Sequence, residues 1–203
     1  MVRHPLRPLD LKNGRVELAH GSGGRASHQL VDELFTRHFH SPQLAACHDA
    51  GILPHVSGRI AVSTDSYVVS PLFFPGGCIG DLAVNGSIND VAMSGAQPIA
   101  LTVGFILEEG FHLADLDRIA AAIARASQNA SVPIISGDTK VVERGKADGG
   151  FCDVGRRRNA NVPKIAAVPL AGQMRKLVDV KALSCKRSGD PLPSVGEPVD
   201  QDV

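Results

Sequence analysis

The chain has 203 residues, 43% of them hydrophobic and 21% charged, with 21 basic and 21 acidic side chains that cancel. That is the balance of a globular protein with a core of its own. It gives no electrostatic reason for general nucleic-acid binding, and no apolar run approaches the length of a membrane helix. The opening residues carry no apolar stretch of the signal-peptide kind, so a cytoplasmic location is expected. Cys47, Cys78, Cys152 and Cys185 are scattered without a C-x-x-C pair, which argues against a cysteine zinc site and for ordinary reduced thiols. His20, His28, His38, His40, His48 and His55 crowd the first sixty residues, but no pair forms an H-x-x-x-H frame, and they read as surface or capping groups.

Residues 1–15 are polar and proline-bearing, a mobile lead-in. Val16 begins a short apolar run that ends in the glycine loop His20-Gly-Ser-Gly-Gly24. Leu30, Val31, Leu34, Phe35 and Phe39 then recur at helical spacing, predicting a helix over 27–39 with Ser27 as its N-cap. Residues 59–65 read as a strand running into an acidic turn, and Asp65 to Val69 as a second extended stretch closed by Pro71 and Pro75-Gly-Gly77. A helix is predicted over 79–93, ended by Gly95 and Pro98. A buried strand follows over 99–107, a second clear helix over 113–129, and a strand over 132–136 that runs into Gly137-Asp-Thr-Lys140. This alternation predicts an α+β domain of α/β-like order, with helices packed on a mixed sheet.

The character of the chain changes near residue 150. Residues 1–150 hold twelve Lys/Arg against fifteen Asp/Glu, while residues 151–203 hold nine against six. Of eight Phe and Tyr residues only Phe151 lies beyond position 150, whereas five of thirteen prolines do. The expected organisation is an N-terminal segment with the glycine loop and a helix over 1–45, an α/β-like domain over 46–150, and an irregular, disordered tail over 151–203.

Three features carry candidate chemistry. The loop Gly21, Ser22, Gly23, Gly24 lets backbone N–H groups approach a phosphate, and the helix behind it adds a favourable dipole. It is neither a Walker A nor a G-x-G-x-x-G turn, and alone it is more often just a turn. Asp65 at a strand end suits Mg²⁺, which takes one or two carboxylates plus phosphate oxygens; alone it is a turn former. On the helix over 79–93, Asp81, Asn85 and Asn89 share one face with Asp90 beside them. Its Asn, Gly, Ser and Asp content costs helix stability, and solvated stripes favour Glu and Lys, so a functional role is favoured there. Residues 137–149 add Asp138, Thr139, Lys140 and Lys146, giving three carboxylates (Asp65, Asp90, Asp138) expected to converge on a metal–phosphate site, with lysines for the phosphates.

Five strings carry a family resemblance. They are Leu18-Ala-His-Gly-Ser-Gly-Gly-Arg25, Thr64-Asp-Ser-Tyr-Val-Val-Ser-Pro-Leu-Phe-Phe-Pro-Gly-Gly77, Gly80-Asp-Leu-Ala-Val-Asn-Gly-Ser-Ile-Asn-Asp-Val-Ala-Met93, Gly104-Phe-Ile-Leu-Glu-Glu-Gly110 and Gly137-Asp-Thr-Lys-Val-Val-Glu-Arg-Gly-Lys-Ala-Asp-Gly149. Together they resemble the hydrogenase maturation factors of the HypE family, which belong to the superfamily of aminoimidazole ribonucleotide synthetase. The resemblance runs from about residue 16 to 150. It implies a PurM N-terminal-like domain, homodimerisation into a barrel, and ATP with Mg²⁺ as cofactors. By position it implies metal ligands at Asp65, Asp90 and Asp138, and nucleotide contacts at Gly21, Ser22, Gly23, Gly24, Asn85, Asn89, Thr139 and Lys140. It further implies [NiFe]-hydrogenase maturation, in which a thiocarbamate received from the carbamoyltransferase HypF is dehydrated with ATP to a thiocyanate. The cyanide then passes to the HypC–HypD scaffold.

The family ends in a second domain and a Pro-Arg-x-Cys-like tail, which residues 151–203 do not match, and Cys185 is neither terminal nor in that context. The expectation is a frameshifted or truncated gene product with no catalytic residue of its own for the loading step. The alternatives are a non-catalytic nucleotide-binding and dimerisation remnant, or another ATP-dependent synthetase of the superfamily.

Overall fold

The computed structural model describes residues 7–45, 50–53 and 58–146, and the backbone path of 164–174. In chain order the elements are a 3-10 helix Leu18–Gly21, α1 Arg25–Glu33, a 3-10 turn Phe35–Arg37 and α2 Pro42–Ala45. Then come β1 Ile60–Val62, β2 Asp65–Tyr67, β3 Phe73–Phe74, β4 Gly77–Cys78, α3 Ile79–Met93, β5 Ala96–Glu108, α4 Leu113–Ala130, β6 Ile134–Val142 and β7 Lys164–Met174.

The main sheet runs β1-β7-β5-β6, with β2 also on β7. β5 and β6 are parallel, joined by the crossover through α4, and every pairing with β7 is antiparallel. Leu101, Val103, Phe105 and Leu107 alternate along β5 onto one face, all buried. Against them pack Leu116, Ile119 and Ile123 of α4 and Ile79 and Val84 of α3, which are fully buried too. Phe35 stacks on Phe105 with ring centres 4.8 Å apart, bringing the N-terminal helices onto the same core. Among the described residues no helix is long and apolar enough to cross a membrane.

Several expectations shift. Residues 7–15 are not a loose lead-in: Leu9 N–H donates to Glu33 Oε2 at 2.6 Å, and Leu9 and Leu11 pack on the core. The first helix starts at Arg25 behind Gly24, not at Ser27, and gives way to a 3-10 turn at Phe35. Ser27 ties the loop instead, its Oγ accepting from Gly23 N–H at 2.9 Å. Pro98 lies inside β5, and its missing N–H coincides with a register shift between Pro98 and Ala100.

The tail expectation needs correction at residues 164–174, which form β7 in the middle of the sheet rather than an irregular segment. Backbone pairing on both edges supplies what the low aromatic content does not. The rest of the tail, with Cys152 and Cys185, lies outside the described residues, as do Cys47, His48, His55 and Asp148.

Candidate functional site

Asp65 opens β2 and Asp90 lies near the end of α3, and the two carboxyls sit side by side. Burial first, then the neighbouring Asp90 carboxyl, pushes the Asp65 carboxyl above its ordinary value. Tyr67 braces the pair: its hydroxyl donates to Asp65 Oδ2 at 3.3 Å and lies 3.3 Å from Ser87 Oγ on α3. Burial pushes the Tyr67 phenol upward, so it stays protonated as the donor. Two adjacent carboxylates make an all-oxygen donor set, the set a hard divalent ion prefers.

The second group forms around β6. A Cβ at Gly21 would collide with the backbone nitrogen of Val141, so only glycine lets the 3-10 helix lie along the outer edge of β6. Gly23 holds φ at +76° with open space in front of it, and Gly24 caps α1 without a side-chain bond. The loop is open to its surroundings at the start of a nine-residue helix, with the Gly23 N–H held by Ser27 Oγ. His20 is buried just before it. Its Nδ1 accepts the Glu17 N–H at 2.9 Å, and burial pushes its pKa down, so the ring is neutral and carries its proton on Nε2.

Asp138 and Lys140 do not end the strand as expected. They are interior to β6, paired with Gly104 and Ile106 of β5. Alternation puts Thr139 and Val141 on the helix-covered face, and Asp138 and Lys140 on the other. Asp138 Oδ1 accepts the Thr139 N–H at 2.8 Å.

The three carboxylates therefore do not converge within one chain. Asp65 pairs across β7 with Val103 and thence Gly137 of β6, so β2 and β6 stand three strand spacings apart, roughly 14 Å. Asp65 also shares the helix-covered face with Val103, while Asp138 points from the opposite face. Consistently, no cluster of three or more His, Cys, Asp or Glu suited to a metal occurs among the described residues. The structure joins Asp65 with Asp90, and the glycine loop with the β6 segment carrying Thr139 and Lys140.

The polar stripe of α3 divides as well. Asp81 is structural: it accepts the Cys78 N–H at 2.9 Å and pairs with Arg125 at 3.0 Å. Asn85, Asn89 and Asp90 are all exposed, and Asn85 donates back to Asp81 O at 2.9 Å. The small residues have packing reasons. A Cβ at Gly80 would stand 2.8 Å from Ile119 O of α4, and one at Gly86 would meet the Tyr67 ring. The helix-weakening composition is thus partly a matter of close approach.

Two residues escaped sequence reasoning. Tyr67 lies within the second family-like string, but nothing there marked it as the brace of the carboxylate pair. Glu108, 1% exposed, closes β5 with Oε1 accepting the Gly145 N–H and Oε2 lacking a partner; the sequence signal was two acids ending an apolar strand. A cavity of about 260 Å³ lined by His38, His40, Gln128 and Ile134 lies at the opposite, N-terminal end of β6 and includes none of the candidate residues.

The glycine loop lies along one edge of a mixed sheet, and the carboxylate pair lies between its other side and α3. Residues 47–155 match the family model of the AIR synthase related protein N-terminal domain. The chain belongs to that family, and its curated relatives include HypE proteins. It is 56% identical over 151 residues to carbamoyl dehydratase HypE of Rhizobium leguminosarum bv. viciae, covering 74% of this chain and 43% of that one. It is similar to a solved hydrogenase maturation protein HypE in complex with ATP, with TM-score 0.67 and 47% identity over 77% of this chain and 42% of the other. A HypE–HypF complex aligns with TM-score 0.50 and 40% identity, covering 72% and 43%. The chain thus spans about two-fifths of the length of these relatives.

Proposed function

We propose that this chain is the ATP-binding part of a HypE-type carbamoyl dehydratase of [NiFe]-hydrogenase maturation, and that residues 46–150 are its nucleotide-binding domain. The observation that carries the reading is the Asp65–Asp90 pair, whose mutual repulsion a divalent cation would relieve. Asp65 and Asp90 would hold Mg²⁺, without Asp138, which the sheet separates from them. The loop Gly21, Ser22, Gly23 and Gly24 would close over the phosphates at the start of α1, with Thr139 and Lys140 on the adjoining strand β6 and Asn85 and Asn89 lining the approach. Bound ATP would supply the phosphoryl group that turns the oxygen of a thiocarbamate amide into a leaving group.

The reading includes a homodimer. Ile60, Val62 and Val68 are 57%, 59% and 60% exposed on and beside the outer strands of the sheet, apolar surface that a second copy would cover in a barrel. Asp138 and Lys140 point from the face not covered by helices, so pairing of these faces would place them near the partner copy's residues. HypF as carbamoyl donor, the HypC–HypD scaffold as acceptor and a cytoplasmic location complete the proposal; it draws support from the 40% identity to the HypE–HypF complex.

Titration of the chain with ATP by calorimetry, with and without Mg²⁺, tests it. Binding that needs Mg²⁺ and falls at least tenfold in Asp65→Asn and Asp90→Asn is expected. Undiminished binding in both variants would remove the metal assignment, and no binding by the parent chain would remove the nucleotide reading.

A further inference from the structure

We propose that Glu108 is a positioning residue for nucleotide binding, fixing the basic segment 140–146 against the glycine loop. The proposal rests on the reading that the loop and β6 receive phosphates, and adds what holds them in place.

Glu108 is the last residue of β5, opposite Val142 of β6, and is 1% exposed. Its Oε1 accepts the N–H of Gly145, in the turn that follows β6. The next residue repeats the grip through the backbone, Glu109 N–H donating to Val142 O at 2.9 Å. Gly145 holds φ at +79°, a left-handed conformation that favours glycine in the turn. The held segment carries Lys140, Arg144 and Lys146, and Arg144 lies across Gly110, where a Cβ would be 2.6 Å from its guanidinium. The same segment includes Val141, the residue on which Gly21 rests.

Glu108 thus ties one end of a short lever whose other side is the floor of the glycine loop. A buried carboxyl is a costly way to pin a turn, since Oε2 is left without a partner and such groups are rare in native proteins. A neutral acceptor of the same reach would do the holding at less cost. Reach, not charge, is therefore what nucleotide binding should sense.

The test compares Glu108→Gln, which keeps an acceptor at the same reach, with Glu108→Asp, which keeps the carboxyl but withdraws it by one carbon. Affinity for Mg-ATP is measured by calorimetry on the full chain, alongside thermal unfolding. The expected result is Glu108→Gln within about twofold of the parent and Glu108→Asp weakened at least fivefold. The reverse order would show that charge matters and overturn the proposal, as would equal affinities in all three. If Glu108→Asp does not fold, a folded Glu108→Gln that loses affinity overturns it, and one that retains it supports it. Parent chain that binds no Mg-ATP overturns the nucleotide reading and this proposal together; parent binding with the wrong variant order overturns this proposal alone.

Discussion

The hydroxyl of Tyr67 occupies the space that a side chain at Gly86 would need, so strand β2 and helix α3 meet without any atom to spare. The contact sets where Asp65 stands relative to Asp90, because the same hydroxyl donates to Asp65.

Gly86→Ala should therefore destabilise the protein. On an open helix face the change would be favourable by about 1 kcal/mol. Here overpacking against Tyr67 should cost about 1–3 kcal/mol. Urea unfolding gives the sign directly, and a stabilised Gly86→Ala would refute the close approach.

Asp90→Asn should raise the melting temperature of the metal-free chain at neutral pH. The Asp65 carboxyl is raised in the folded state above its ordinary value of 3.8, so the native protein takes up a proton more readily than the unfolded one. That contribution is full below pH 3.8 and is lost as pH rises through the folded value. The gap between Asp90→Asn and parent should hence widen with rising pH, and Mg²⁺ should stabilise the parent only. Scanning calorimetry across pH, with and without Mg²⁺, reads both; a gap that narrows as pH rises contradicts the pairing.

His20 titrates the opposite way. Burial holds its pKa below 6.5, so its stabilising contribution is present above that pH and lost as pH falls through the folded value. Plots of melting temperature against pH for His20→Gln should be flatter than those of the parent on the acid side of 6.5. An unchanged pH profile would mean the ring is not kept neutral.

Asp81→Ala should cost about 0.5–2 kcal/mol through loss of the bond it accepts from the N–H of Cys78, the N-cap of α3. Arg125→Ala should cost under about 1 kcal/mol, since the guanidinium side chain is 61% exposed. Neither should change the Mg²⁺ requirement of ATP binding. A tenfold loss of affinity in Asp81→Ala would return that residue to the site.

The sequence is most legible where one period dominates. The helix over 79–93 has the bounds of α3, and that over 113–129 falls one residue short of α4, because both bury an apolar stripe on one core. The juxtaposition of Asp65 with Asp90 was legible from the strings on β2 and α3. The illegible part is long-range. Nothing local says that Asp138 sits inside a strand, since its place depends on pairing with Gly104. Nor does composition announce β7, whose order comes from backbone bonds rather than from aromatic burial. Asp81 looked like site chemistry because an N-terminal helix acid and a ligand have the same appearance in a string.

The position of β7 also sets the order in which the molecule can assemble. The strand between β5 and the β1–β2 pair is the last described segment of the chain, so during synthesis α3, β5, α4 and β6 can gather first as a parallel two-stranded unit. β1 and β2 must wait for a neighbour that the ribosome has not yet made. Contacts of such sequence separation form slowly. Until they form, Asp65 has no fixed strand to stand on, so the carboxylate half of the candidate site is the late half, and the glycine cradle on β6 the early one.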